Sequence, residues 1–264
     1  MSIVLSTALF SLALAFALGL ALGFFKEFFA VKEDPLVGDI RAALPGANCG
    51  ACGFPGCEAY AVSVAKGEAG INACSAGGKA VAEKIAELVG GSADVKEMVA
   101  VMACRGTHEK ALLKGEYFGV KSCRAAKIST GSIKRCAWGC QGFGDCVTAC
   151  KFGALSMGED GLPHVDVQKC TGCKACANDC PQHIIWIIPK DSKGARPICS
   201  NLNVNKAMVA KNCKNGCIKC ELCVKNCPEQ CIRMANGIPV VDNSKCTSCG
   251  NCVTKCPIKV MALI

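Results

Sequence analysis

The chain has 264 residues, of which only 5% are aromatic while 25 are cysteine, so an ordinary hydrocarbon core is short of its largest side chains and inorganic centres must supply part of the cohesion. The formal net charge of +9 counts every thiol as neutral, so by itself it does not establish a nucleic-acid partner. An odd number of cysteines without a defensible export signal excludes the disulfide scaffold of small secreted domains.

Residues 3–25 carry no charged side chain and are long enough to cross a bilayer. No Lys or Arg precedes the run and no convincing small-residue cleavage site follows, so a retained anchor over residues 1–30 is expected in place of a signal peptide. Lys26 and Lys32 follow the span, which puts the bulk of the chain on the cytoplasmic side, where reducing conditions also suit thiols. With no polar group inside it, the span is an anchor and not an ion path. Asp34 and Pro35 should end that helix.

A small unit is expected over residues 31–92. Cys49, Cys52 and Cys57 stand in C-x2-C-x4-C spacing with Cys74 beyond them. Gly50, Gly53 and Gly56 permit the positive-φ turns that bring backbone amides toward sulfur. The four cysteines read as ligands of one iron–sulfur cluster, with structural zinc as the alternative on spacing alone. Helical periodicity over 59–69 and 79–88 predicts two short bracing helices. A connecting segment over 93–135 opens with a strand within 95–106 that ends at Cys104.

Beyond it lie four cysteine groups. Cys170/Cys173/Cys176/Cys180, Cys217/Cys220/Cys223/Cys227 and Cys246/Cys249/Cys252/Cys256 each read C-x2-C-x2-C-x3-C, followed by Pro181, Pro228 or Pro257. This is the ligand run of bacterial two-cluster ferredoxins, in which three cysteines wrap one cubane and the fourth crosses to its neighbour. Crossed pairing predicts centres of Cys170, Cys173, Cys176 and Cys150; of Cys217, Cys220, Cys223 and Cys256; and of Cys246, Cys249, Cys252 and Cys227. The group Cys136/Cys140/Cys146/Cys150 departs from the run, with Phe143 where a ligand is expected and Lys151 in place of the proline. Cys136 is the candidate substitute, giving a centre of Cys136, Cys140, Cys146 and Cys180. Zinc prefers two C-x2-C pairs on separate loops, without crossed pairing.

The expected fold class is α+β: one N-terminal transmembrane helix, the small four-cysteine module, and two tandem bacterial-type ferredoxin modules over 136–195 and 196–264. Short strands are expected near Leu155 and over 164–167, 184–188, 232–234 and 239–241, with turns at Gly161, Gly194 and Gly237.

The spacing of Cys123, Cys136 and Cys140 nearly matches that of Cys199, Cys213 and Cys217, as in a duplicated unit. Cys104, Cys123, Cys199 and Cys213 could converge on a sixth cluster, or they are small buried hydrophobes; Cys231 reads as core. Five clusters at about −2 each would bring the holo-chain to roughly −1, which excludes a global nucleic-acid role. Locally, Lys206, Lys211, Lys214, Lys219 and Lys225, with Arg196 and Arg233, outnumber Glu221 and Glu229. That patch either steers an acidic electron carrier or is a solvated face offsetting cluster charge. His108, His164 and His183 have no catalytic partners, and no nucleophile–base pair, phosphate loop or dinucleotide fingerprint is found. No catalytic residue is therefore expected, and the chemistry is one-electron transfer.

The order of span, CGACGFPGC…C module, CAWGCQGFGDCVTAC variant and paired ferredoxin modules resembles the B subunit of the Rnf complex, in the cysteine-rich form of anaerobes. The resemblance covers essentially the whole chain and includes the variant motif. It implies a membrane-bound, ion-translocating ferredoxin:NAD oxidoreductase, in which this subunit accepts electrons from reduced ferredoxin while flavin and NAD bind companion subunits. Two other classes stay open: a polyferredoxin wire of a membrane hydrogenase, and a methyl-transfer partner, since the 49–74 module also resembles one in corrinoid proteins of acetyl-CoA synthesis.

Overall fold

The computed structural model describes residues 2–29, 34–92 and 96–264; Lys32 and Val95 lie outside them. Helix α1 (Ser2–Phe28) meets no proline and no charge before Lys26. Over residues 5–26 its apolar side chains are exposed, Phe10 at 72% and Leu12 at 70%. Within it, Leu5–Lys26 is the one described stretch long and apolar enough to cross a membrane. Such a cylinder is at home only in a bilayer or against another subunit.

Asp34 and Pro35 begin a helix, although the sequence suggested that they end one. The Asp34 carboxylate accepts from the Leu36 amide at 2.9 Å, and Pro35 takes the first position of α2 (Pro35–Ala43), where its missing N–H costs nothing. With α3 (Cys57–Ala65) and α4 (Gly78–Val89), it encloses a core of Val37, Ile40, Leu44, Tyr60, Ala61, Val64 and Ile85. Tyr60 is wholly buried and donates from its hydroxyl to Gly70 O at 2.8 Å, as a buried phenol requires.

The strand expected in the connecting segment is β1 (Met98–Met102), which joins the first ferredoxin module. It pairs antiparallel with β4 (Ile185–Pro189), Met98 opposite Pro189 and Met102 opposite Ile185. Between them in the chain lie α5 (Cys123–Thr130), α6 (Asp145–Thr148), the hairpin β2 (Leu155–Met157) and β3 (Pro163–Val165), and α7 (Ala175–Asp179). The second module repeats this plan: β5 (Ala195–Pro197) pairs antiparallel with β8 (Met261–Leu263), around the hairpin β6 (Ile232–Ala235) and β7 (Ile238–Val241), with short helices α9 (Leu222–Lys225) and α10 (Asn251–Thr254). Helix α8 (Lys206–Asn212), capped by the Asn205 side chain, precedes its cysteines. Both cores are small and sulfur-rich. The first combines Leu155, Leu162, Ile184 and Ile185 with Cys140, Cys146, Cys176 and Cys180; the second combines Ala195, Ile232 and Met261 with Cys223, Cys231 and Cys252.

The modules are stitched together across residues 103–113. Leu112 N donates to Asn212 O, Lys214 N to Lys110 O and the Ser200 hydroxyl to Ala103 O, at 2.9, 2.7 and 2.9 Å. Asn215 Nδ2 reaches Arg105 O at 2.7 Å.

Candidate metal centres

Left-handed backbone shapes the cysteine loops. In the small module Asn48, Gly50 and Gly53 adopt positive φ, and the Asn48 side chain accepts from Cys57 N at 2.8 Å, fixing the start of α3. Cys49, Cys52, Cys57 and Cys74 then line one cavity. In the second ferredoxin module, Lys219 and Glu221 take the left-handed turns, and Cys217, Cys220, Cys223 and Cys256 line one cavity. Val260 N donates to Cys256 Sγ at 3.3 Å.

Two further sets of four cysteines lie close enough to act on one another electrostatically. Burial pushes the Cys176 thiol up to about 11, reinforced by Cys173, Cys170 and Cys150 alongside. Burial likewise raises Cys252, which has Cys246, Cys249 and Cys227 around it. The first of these loops runs so close to β1 that a Cβ at Gly172 would overlap Met98. Ala100 of that strand donates its amide to Cys170 Sγ at 3.4 Å.

The variant motif is built otherwise than its spacing suggested. Cys140, Cys146 and Cys180 share their cavity with Cys123 and not with Cys136. Cys123 opens α5, and the Asp145 carboxylate locks that end by accepting from Ser122 Oγ, Cys123 N and Arg124 N at 2.9, 2.9 and 3.1 Å. Cys136 instead lines a separate cavity with Cys104, Cys199 and Cys213, and Asn201 Nδ2 donates to its sulfur at 3.4 Å. Relative to the expected sets, Cys123 and Cys136 have exchanged places. The true correspondence between modules runs through the strands: β1 and β5 each end two residues before a cysteine, Cys104 and Cys199. Spacing to Cys136 and Cys213 pointed to Cys123 because it ignored the strands, whose shared position in VMAC and PIC was the available signal. Asp145, Asn201, Lys134 and Gln182 were missed, having no cysteine-like signature.

The resulting quartets use every cysteine except Cys231. Among the described residues no three ligating side chains close on a point as a single ion requires. In four of the six quartets the cysteines instead line a common void, and this suits a cubane better than zinc. Gln182 lines the cavity of Cys123 and Cys140, and its buried Nε2 has no hydrogen-bond partner in the protein; an orphan amide donor on a residue of this lining fits an electron-rich cluster. Of the basic patch, Lys206, Lys211, Lys214 and Lys225 are exposed. Lys219 is not: it is buried against Asn201 O and leaves the candidate docking surface. His164 pairs with Asp160 at 3.0 Å on the surface.

Family models match three segments: "Putative Fe-S cluster" over 44–76, "4Fe-4S binding domain" over 163–186 and "4Fe-4S dicluster domain" over 216–260. The chain is 43% identical to the B subunit of the Na(+)-translocating ferredoxin:NAD(+) oxidoreductase complex of Acetobacterium woodii, over 94% of this chain and 74% of that one. It is 39% identical to the B subunit of the ion-translocating oxidoreductase complex of Methanosarcina acetivorans, over 100% of both. Against the B subunit of the proton-translocating ferredoxin:NAD(+) oxidoreductase complex of Clostridium ljungdahlii the identity is 41%, over 90% and 85%.

Proposed function

Because the chain belongs to the B-subunit family of ion-translocating oxidoreductase (Rnf) complexes, we propose that it accepts electrons singly from reduced ferredoxin and delivers them to companion subunits. It is an iron–sulfur electron-transfer subunit of a membrane complex, and the finer assignments come from its residues. The six cysteine quartets are assigned to six 4Fe-4S clusters, where five were the firm expectation. When bound, such clusters supply one-electron transfer. What carries the assignment is the contiguity of the quartets: Cys140 N donates to Cys104 Sγ at 3.4 Å, and Cys217 N to Cys199 Sγ at 3.5 Å. The quartet of Cys104, Cys136, Cys199 and Cys213 thus touches one quartet of each ferredoxin module, and bridges them.

Flavin and NAD chemistry is assigned to companion subunits, since the chain carries no dinucleotide fingerprint. Helix α1 is assigned as a single-pass lipid anchor, with Lys26 favouring a cytoplasmic position for the cysteine-rich modules. The units we assign are an anchor over 1–30, a small cluster module over 31–92, and two ferredoxin units, of which the first reaches back to Met98 and the second begins at Ala195, in keeping with their strand pairs. Exposed Lys206, Lys211, Lys214 and Lys225 form a surface on which an acidic ferredoxin can dock transiently.

Anaerobic capture of the complex through a tag on this chain tests the proposal. NAD reduction by reduced ferredoxin should co-purify, and vanish with Cys220→Ala. Hydrogen evolution without NAD reduction would assign the chain to a hydrogenase wire instead.

A further inference from the structure

Two lysines lie where lysine is seldom found. Lys134 is 1% exposed and Lys219 is 6% exposed, and among the described residues neither pairs with a carboxylate. Each donates to a single backbone carbonyl: Lys134 Nζ to Gly106 O at 2.6 Å, and Lys219 Nζ to Asn201 O at 3.0 Å. A carbonyl offers only partial negative charge, so each buried ammonium still requires an anion nearby.

Sulfur is the available anion. The residues that accept from the two lysines are themselves donors to the bridging quartet, Gly106 N to Cys104 Sγ and Asn201 Nδ2 to Cys136 Sγ, both at 3.4 Å. Lys134 lines the bridging cavity, and Lys219 lines the adjoining cavity of Cys217 and Cys220. Burial raises the thiols on both sides of each lysine, and the cation opposes it: Lys134 at Cys140 and Cys213, Lys219 at Cys199 and Cys217. Each lysine therefore sits between the bridging quartet and one flanking quartet.

We propose that Lys134 and Lys219 set the reduction potential of the bridging centre, their buried charges favouring its reduced state so that an electron arriving from either module settles there. Reduction adds one negative charge, drawn from reduced ferredoxin as it is oxidised by one electron, and no bond to the chain forms or breaks. A fixed cation beside the sulfurs stabilises that added charge without a proton. The proposal rests on the assignment of a cluster to Cys104, Cys136, Cys199 and Cys213 under the proposed function.

The test is a potentiometric titration of the anaerobically purified full chain, monitored by electron paramagnetic resonance. The bridging signal is identified as the one lost, with about four irons, in Cys136→Ala; if that variant keeps all its iron, the cluster assignment falls and takes this proposal with it. Lys134→Met and Lys219→Met should retain wild-type iron. At a fixed potential each should lower the reduced-to-oxidised ratio of that signal at least tenfold, equal to about 59 mV for one electron. Lys134→Arg and Lys219→Arg should restore the wild-type ratio. Where a Met variant sheds iron, Lys134→Gln and Lys219→Gln, which keep a donor without the charge, carry the same measurement. A smaller shift with iron retained overturns the lysine role alone. Loss of iron in the Gln variants as well would make the lysines structural struts, and also overturn it.

Discussion

Phe143 occupies the position of a ligand in the regular motif, yet its ring packs on Tyr117 with centroids 5.5 Å apart and lies under Lys121 Nζ at 5.7 Å. Cys123 lines the cavity of Cys140, Cys146 and Cys180 in its stead. Cys123→Ala should therefore lower the iron content by about four atoms per chain, and Cys123→Ala/Phe143→Cys should recover it by restoring the regular motif; full iron in the single variant would count against this centre. Cys231 is the opposite case. Its sulfur lies 3.4 Å from Cys227 Sγ, whereas the terminal thiolates of a cubane sit on different irons and diverge, so both cannot bind one cluster. Burial, with Cys227 beside it, pushes its thiol up to about 12, so Cys231 stays a protonated thiol at neutral pH. Cys231→Ala should leave iron content unchanged by chemical assay.

At the scale of elements, α5 is the decisive one, and it depends on Asp145 at a distance of about twenty residues in sequence. Burial alone would raise the Asp145 carboxyl, but the hydrogen bonds from Cys123, Arg124 and Ser122 outweigh it and hold it below the usual range. A carboxyl lowered in the folded state contributes stability above its unfolded pKa of about 3.9, lost only as pH falls through the lower folded value. Asp145→Ala, which removes a side-chain cap, should cost about 1–2 kcal/mol and release the iron held with Cys123 preferentially. The deficit should be the same at pH 6 and pH 8 in a thermal melt; a deficit that changes between them would point to another group. Sequence periodicity anticipated α3, α4 and the two hairpins because each has apolar spacing or a glycine turn. It could not anticipate β5 and β8, three residues each and one carrying Pro197, or α8, whose signal is the single cap Asn205. Nor could it place Cys123, since the contact with Asp145 is tertiary and α5 presents no motif of its own.

For the whole molecule, cohesion is divided unequally. The small module owns a hydrocarbon core, with Ile40, Tyr60 and Ile85 fully buried, while the ferredoxin units set cysteines among the few apolar residues of their cores. Burial pushes the thiols of Cys136, Cys140 and Cys146 up to about 12, so the metal-free chain keeps them protonated and metal must drive their ionisation, releasing protons as it binds. The legible part of the design was therefore the ligand runs, and the illegible part was which buried sulfur meets which. Removing iron with a chelator under reducing conditions should then unfold the molecule in two parts. The units over 98–264 lose both their cross-links and most of their core, and their strand amides should exchange freely with solvent. Helices α2 to α4 keep the contacts around Tyr60 and should retain measurable protection in the same hydrogen-exchange experiment. Equal protection across both parts after complete iron removal would show that the hydrocarbon, and not the clusters, holds the ferredoxin units together.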